Sequence, residues 1–355
     1  MKTRAAFGNL GSEDGVALIL VLWVFIFLFV VAFEFSTGTR EEGTAAQRFS
    51  EDTTGYYLAL AGFESGLYEF LNQQSGAASQ VRQNTNEDLF DGEFREQKLG
   101  PGTLRVRMID ESGKININRA NEDMLRRIFL NLGIDPGRAD VLVDSIMDWR
   151  DSDDLHRPNG AENDYYQSLT PPYTAKNGAL DTVEDLLWIR GMTPALFYGD
   201  SEQDNEDVKD GSKRVPLRDL FTVDSPIDRV NLRTASAEVI HALVGIPLEK
   251  CRSFVEERKK LSEKTIADLL PLLGIGAADN MMQMFIFTNP SVVAVEAEGL
   301  AADSRSGRRV KGIVRLGGAQ GFELLRWLDR DIALPQNLRL GYNMPTNRTM
   351  ASNGF

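Results

Sequence analysis

At 355 residues, 42% hydrophobic and 26% charged, the chain is long enough for one large globular domain or two ordinary ones. A formal net charge of −13 argues against a sequence-independent grip on nucleic acid, which draws on clustered Lys and Arg, and suits solubility or a divalent cation instead. The single cysteine, Cys251, excludes an internal disulfide.

The first element is apolar. Residues 16–33 read VALILVLWVFIFLFVVAF, an uncharged run of the length that crosses a bilayer as a helix. It follows a short polar leader with Lys2 and Arg4 that ends Glu13-Asp14-Gly15. A conventional secretory signal has a shorter apolar core and a small-residue cleavage site, which Glu34 to Arg40 do not offer. Past the membrane run, Phe49, Tyr56, Leu60, Phe63, Leu67 and Leu71 recur at helical spacing, predicting that the helix continues as an amphipathic spine. A short leader, a glycine and a long apolar helix together resemble the type IV prepilin class. That resemblance implies cleavage between Gly15 and Val16, N-methylation of Val16, one pass of the inner membrane and a body in the periplasm. Most members of the class carry glutamate at the fifth mature position, where this chain has Leu20. A carboxylate there neutralises the terminal ammonium of a neighbouring subunit inside an apolar filament, where an unpaired charge is costly. A subunit with no neighbour above it needs none.

Ser75 to Lys98 is polar and leads to the turn Gly100-Pro101-Gly102. Thr103 to Asp110 then alternates Leu104, Val106 and Met108 with Arg105 and Arg107, the period-two pattern of a half-buried strand. Val292–Glu298, Arg309–Leu316 and Phe322–Leu328 read as further strands of the same antiparallel sheet. Between them the chain is largely helical and repeats itself. Ile115-Asn116-Ile117-Asn118-Arg119-Ala120 matches Val230-Asn231-Leu232-Arg233-Thr234-Ala235, each leading to a Gly-Ile pair, at Gly133 and at Gly245. A D-L-L-x-x-x-G unit follows each, at Asp185 to Gly191 and at Asp268 to Gly274. The expected fold is α+β: a pilin-like long N-terminal helix packed on an antiparallel sheet, interrupted by a large all-helical insert. Its segments are a leader (1–15), a transmembrane helix (16–35), the spine and first strand (36–112), the insert (113–289), the closing strands (290–335) and a polar tail (336–355).

Two motifs could carry function. The apolar-x-Gly-apolar hairpins resemble the helix-hairpin-helix of DNA-binding and DNA-uptake proteins, which offers amides to phosphate. Prolines at 136 and 194 remove amides, and only Gly274-Ile275-Gly276 is clean. The stronger constellation is Asp148-Trp149-Arg150-Asp151-Ser152-Asp153-Asp154 with Gly160-Ala161-Glu162-Asn163-Asp164-Tyr165-Tyr166, a carboxylate-rich stretch suited to Ca2+ but unlike an EF-hand. A second acidic run, Asp200 to Asp207, reads as a surface loop. No G-x-S-x-G, H-E-x-x-H or P-loop is present, and His156 and His241 lie in separate regions, so no catalytic residue is assigned.

From Gly113 to Met192 the ordered motifs G-K-I-N-I-N, G-I, D-W-R-D-x-D-D, G-A-E-x-x-Y-Y, P-Y-x-x-K-N and E-D-L-L-x-x-x-G-M resemble the K component of the general secretion pathway, a minor pseudopilin of type II secretion. The resemblance implies a non-enzymatic subunit at the pseudopilus tip, supporting export of folded proteins. Its implied partners are the I-type and J-type minor pseudopilins, the prepilin peptidase, the secretin and exoproteins, with no nucleic acid. It also implies bound calcium, with Asp148, Asp151, Asp153, Asp154, Glu162 and Asp164 as candidate ligands and Asn177 a weaker one.

Overall fold

The computed structural model describes residues 13–74, 89–199, 215–259, 266–274, 280–302, 304, 306–317 and 321–333. Most of the leader, the acidic run from Asp200, Ile275-Gly276 and the tail from Gln336 lie outside the described residues. Helix α1 runs over Glu13–Gln74. Residues 18–37 are exposed on every side, and this stretch is long and apolar enough to cross a membrane, consistent with a single-pass anchor.

Nine strands follow in the described residues. β1 (Arg95–Leu99) and β2 (Gly102–Asp110) come first, then the two-residue strands β3 (Ile115–Asn116), β4 (Phe221–Thr222), β5 (Val230–Asn231) and β6 (Phe285–Ile286). The last three are β7 (Val292–Leu300), β8 (Ser306–Leu316) and β9 (Phe322–Ala333). β1, β2, β7, β8 and β9 form one antiparallel sheet in that spatial order, so β2 and β7 are neighbours although the insert separates them in sequence.

The C-terminal half of α1 packs on this sheet. Ala59, Phe63, Leu67 and Phe70, spaced four, four and three apart, form one stripe against Met108, Val293, Val295, Ala297, Val310 and Val314. Tyr56 and Leu71 flank the stripe as expected, but Phe49 is 74% exposed, because the helix meets the sheet only from about Asp52 onward. There Arg308 donates two hydrogen bonds to Asp52, at 2.6 and 2.7 Å. Close approach depends on Gly299: a Cβ at that position would lie 2.0 Å from the Gly55 carbonyl oxygen.

On the opposite face of β7, Glu296 and Glu298 are buried among cations. Glu296 accepts from Arg107 at 2.6 and 2.8 Å and meets Lys311 at 3.1 Å, while Glu298 pairs with Arg105 at 3.0 Å and with Arg309. The guanidiniums of Arg105 and Arg107 also lie over the ring of Phe94. This charge lattice fixes the register of three strands on a face that the period-two pattern alone marks simply as polar.

The insert leaves the sheet through a buried polar knot. Asp110 accepts from the amide and hydroxyl of Ser112, from Asn231 at 2.9 Å and from Thr234 at 2.6 Å. Glu111 accepts from the Thr222 hydroxyl and pairs with Lys114 at 3.2 Å. Within the insert lie α2 (Glu122–Asn131), α3 (Pro136–Arg150), α4 (Asn163–Gln167), α5 (Pro194–Tyr198), α6 (Leu217–Leu220), α7 (Ala237–Val244) and α8 (Leu248–Lys259), sharing one apolar core.

The repeat folds twice into the same unit. β3 pairs in parallel with β4, and β5 with β6. The carbonyl of Asn116 accepts from Ala120 at 2.8 Å and that of Asn231 from Ala235 at 2.9 Å, closing the same tight turn. A polar N-cap then starts each first helix: Asn121 accepts from the Met124 amide, and Ser236 from Val239. α2 packs on α7, and Asn131 reaches the Ala242 carbonyl at 2.9 Å. Among the described residues the insert is thus helices and connecting loops with two short parallel ladders, each containing the first asparagine of its repeat.

Candidate metal centre

Helix α3 begins with Asp135 capping the Gly137 and Arg138 amides and Pro136 in the first turn, and it ends at Arg150. Its last turn delivers Asp148 inward and Asp151 at the C-cap. The returning strand of loop brings Glu162 to them as the N-cap residue of α4. Asp148, Asp151 and Glu162 each place a carboxylate oxygen within 4.8 Å of the others. Asp148 and Glu162 are fully buried, at 0% and 1% exposure. Gly160 makes this approach possible, since a Cβ there would fall 1.8 Å from Asp148 Oδ2.

Three carboxylates this close, two of them buried and Asp151 half-buried, repel one another. Burial pushes the carboxyl of Glu162 up, helped by Asp148 and Asp151, to about 7. Burial also raises Asp148 and Asp151, against the pull of Arg157. Asp148 accepts from the Arg157 amide at 3.1 Å and lies 3.5 Å from its Nε, while that guanidinium also holds Glu122 at 3.2 Å. Both oxygens of Glu162 and Oδ1 of Asp151 are buried without a hydrogen-bond partner. Buried carboxylate oxygens are ordinarily satisfied, so these atoms fit a cation bound between them. An all-oxygen donor set in a loop of irregular geometry suits a hard divalent ion.

The other candidate carboxylates do not join this trio. Asp153 Oδ1 accepts from the Leu155 amide. Asp154 Oδ1 accepts from Asn163 at 2.7 Å and Asn177 at 3.1 Å, and Asp164 faces His156 at 3.6 Å. Asn177, at a φ of 47°, keeps its Oδ1 buried and unpartnered. Two residues that sequence reasoning passes over also build the site. Asp144, one turn before Asp148, is buried and accepts from the amide and side chain of Asn159, both at 3.0 Å. Arg157 is the second. An acidic pair at i and i+4 on an otherwise apolar helix face was the available signal for Asp144.

An aromatic wall closes one side. Trp149 meets Tyr166 edge-on at 5.1 Å, Tyr166 touches Tyr165 and Tyr173, and Tyr173 meets Trp188. Of the hairpin amides, the alternative site, five among the described residues are spent within the protein. Gly133 N donates to Leu130, Ile134 N to Phe129, Met192 N to Ile189, Gly245 N to His241 and Gly274 N to Pro271. Leu20 lies on the exposed apolar stretch of α1, 62% exposed, far in sequence from all of these.

Residues 104–198, which contain the whole acidic site, match the family model described as "Type II secretion system (T2SS), protein K". The type II secretion system protein K of Klebsiella pneumoniae is 24% identical over 200 residues, covering 52% of this chain and 60% of that protein. That of Dickeya chrysanthemi is 34% identical over 150 residues, 41% of this chain and 37% of its own. The chain is a homologue of the protein K family. It spans about 60% of the length of the first curated protein K relatives it matches. The fold agrees: a chain in the crystal structure of the GspK-GspI-GspJ complex of enterotoxigenic Escherichia coli superposes with a TM-score of 0.53, at 16% identity, over 81% of this chain and 99% of its own. The long helix, the five-stranded sheet and the helical insert are therefore the architecture of this fold.

Proposed function

We propose that the chain is a minor pseudopilin of a type II secretion system that sits at the pseudopilus tip and supports export of folded proteins across the outer membrane. The observation that carries this reading is the joining, in one chain, of an exposed apolar helix to a sheet interrupted by a bulky insert, the fold shared with a protein K complex. The role is structural and not enzymatic. A head of this bulk has no room inside a filament shaft, so it occupies the end. Leu20 suits that place, because a terminal subunit has no neighbouring ammonium to neutralise. In the same reading the prepilin peptidase cuts between Gly15 and Val16, Val16 becomes N-methylated, and the body lies in the periplasm. I-type and J-type minor pseudopilins are the partners in the tip complex, and the insert faces the secretin and exoproteins.

The cation held by Asp148, Asp151 and Glu162 is calcium in this proposal, with Asp153, Asp154 and Asp164 as outer carboxylates that orient the loop. Bound calcium would balance the carboxylate charge that Arg157 alone does not and hold the 151–181 segment closed. The test is co-purification of the detergent-solubilised full chain with I-type and J-type minor pseudopilins expressed in the same cells. The expected result is a heteromeric complex in which this chain has lost residues 1–15 by mass. A full-length chain that elutes alone would overturn the reading.

A further inference from the structure

The repeat supplies an internal control for the metal site. Both units end their second helix with an arginine folded back onto the turn that begins the unit. In the second unit, Arg258 of α8 donates to the carbonyls of Leu232 and Ala235, each at 2.8 Å. In the first, Arg150 of α3 donates to the equivalent carbonyls, Ile117 and Ala120, the latter at 3.0 Å. In the second unit Glu256 holds the place of Asp148, two residues before the arginine, but it is exposed and pairs with Lys259 at 3.4 Å. Around Arg150 stand Asp148 and Asp151, and the acidic loop follows. The first unit thus sets a buried and a half-buried carboxylate around the anchor, where the second unit has exposed glutamates ahead of it.

The direction of the Arg150 side chain matters. Its guanidinium is spent on backbone carbonyls and makes no ion pair with the trio, so its charge reaches Asp151 only through space while its two arms hold the last turn of α3 still. That turn is tied onward: Ile117 N donates to the Thr222 carbonyl at 2.9 Å, and the Thr222 hydroxyl donates to Glu111 at the root of the insert.

We propose that Arg150 is a positioning residue for the cation cluster, fixing Asp148 and Asp151 relative to Glu162 by clamping the end of α3 to the Ile117–Ala120 turn. This rests on the reading of the cluster as a calcium site. Two physical effects predict opposite signs for its removal. Deleting a positive charge beside three carboxylates should tighten cation binding by Coulomb attraction. Releasing the helix end should weaken it, because orienting residues outside the ligand set typically contribute about 10- to 100-fold to metal affinity. The positioning role requires the second effect to win.

The measurement is titration calorimetry with calcium chloride on the detergent-solubilised full chain, wild type against Arg150→Met, Arg150→Lys and Arg258→Met, with melting in chelator recorded for each. Arg258→Met is expected to lower the melting temperature and leave calcium affinity unchanged. Arg150→Met and Arg150→Lys are expected to bind calcium at least about tenfold more weakly. Lysine keeps the charge but not the planar two-armed donor, so it separates charge from clamp and serves if the methionine variant does not fold. Unchanged or tighter binding by the Arg150 variants would overturn the positioning role. A wild-type chain that binds no calcium would overturn it together with the calcium reading, and an equal loss in Arg258→Met would reduce it to general stability.

Discussion

Two glutamates show what burial does to a carboxylate and what it does not. Glu296 on β7 and Glu162 at the start of α4 are both almost fully enclosed, at 6% and 1% exposure. Burial pushes Glu296 up as well, but Lys311 and Arg107 outweigh it and hold the group down at about 2. Glu162 has carboxylates where Glu296 has cations, and stands at about 7. The sheet carries its counter-charges in its own sequence. The acidic site has Arg157 against Asp148, shared with Glu122, and nothing paired to Glu162, which leaves room for a cation from solution.

The largest expected effect comes from breaking the complete case. Glu296→Gln leaves Arg107 and Lys311 without their shared anion and should destabilise the fold by ~3 kcal/mol in urea denaturation. A loss below ~1 kcal/mol would place the lattice with ordinary surface pairs. Completing the incomplete case comes next. Calcium at about 100 times its Kd should raise the unfolding free energy by ~2.7 kcal/mol, seen as a higher melting temperature that chelator reverses. The gain should shrink from pH 8 to pH 5, since protons compete for Glu162. An indifferent melt at pH 8 would remove the calcium reading.

A smaller effect sharpens the contrast. A carboxyl raised in the folded state stabilises fully below its unfolded value, near 4.5, and that stability is lost as pH rises through about 7. Metal-free protein should therefore lose stability between those values, and Glu162→Gln in chelator should be more stable than wild type at pH 8 by ~2 kcal/mol, with little difference at pH 4. Glu296 behaves oppositely: its contribution is present above about 4.5 and is lost only as pH falls toward about 2. A destabilised Glu162→Gln at pH 8 without calcium would mean that the trio has an unseen counter-charge.

Much of this was legible before folding. Period-two runs marked β2 and β7 to β9, and the Asn-led repeat marked both helical units, because these signals are local. Partnerships between distant residues were not. Arg105, Arg107, Glu296 and Glu298 read as the solvent face of their strands, and their mutual pairing depends on β2 and β7 becoming neighbours. In the same way, the six candidate carboxylates of the acidic stretch are not told apart by the sequence. Only the end of α3 and the turn at Gly160 decide that Asp148, Asp151 and Glu162 converge while Asp153 turns to its own backbone. β1 was missed because Arg95 to Leu99 lacks apolar alternation: it is an edge strand.

The register of β2 and β7 has an evolutionary corollary. Asp110 faces Val293 across the ladder, so the chain departs for the insert and comes back at points one strand spacing apart, about 4.8 Å. Such a junction could be sewn shut by a hairpin turn without disturbing a single rung. The head is thus a cassette: its size can change without moving the two strands between which it is inserted.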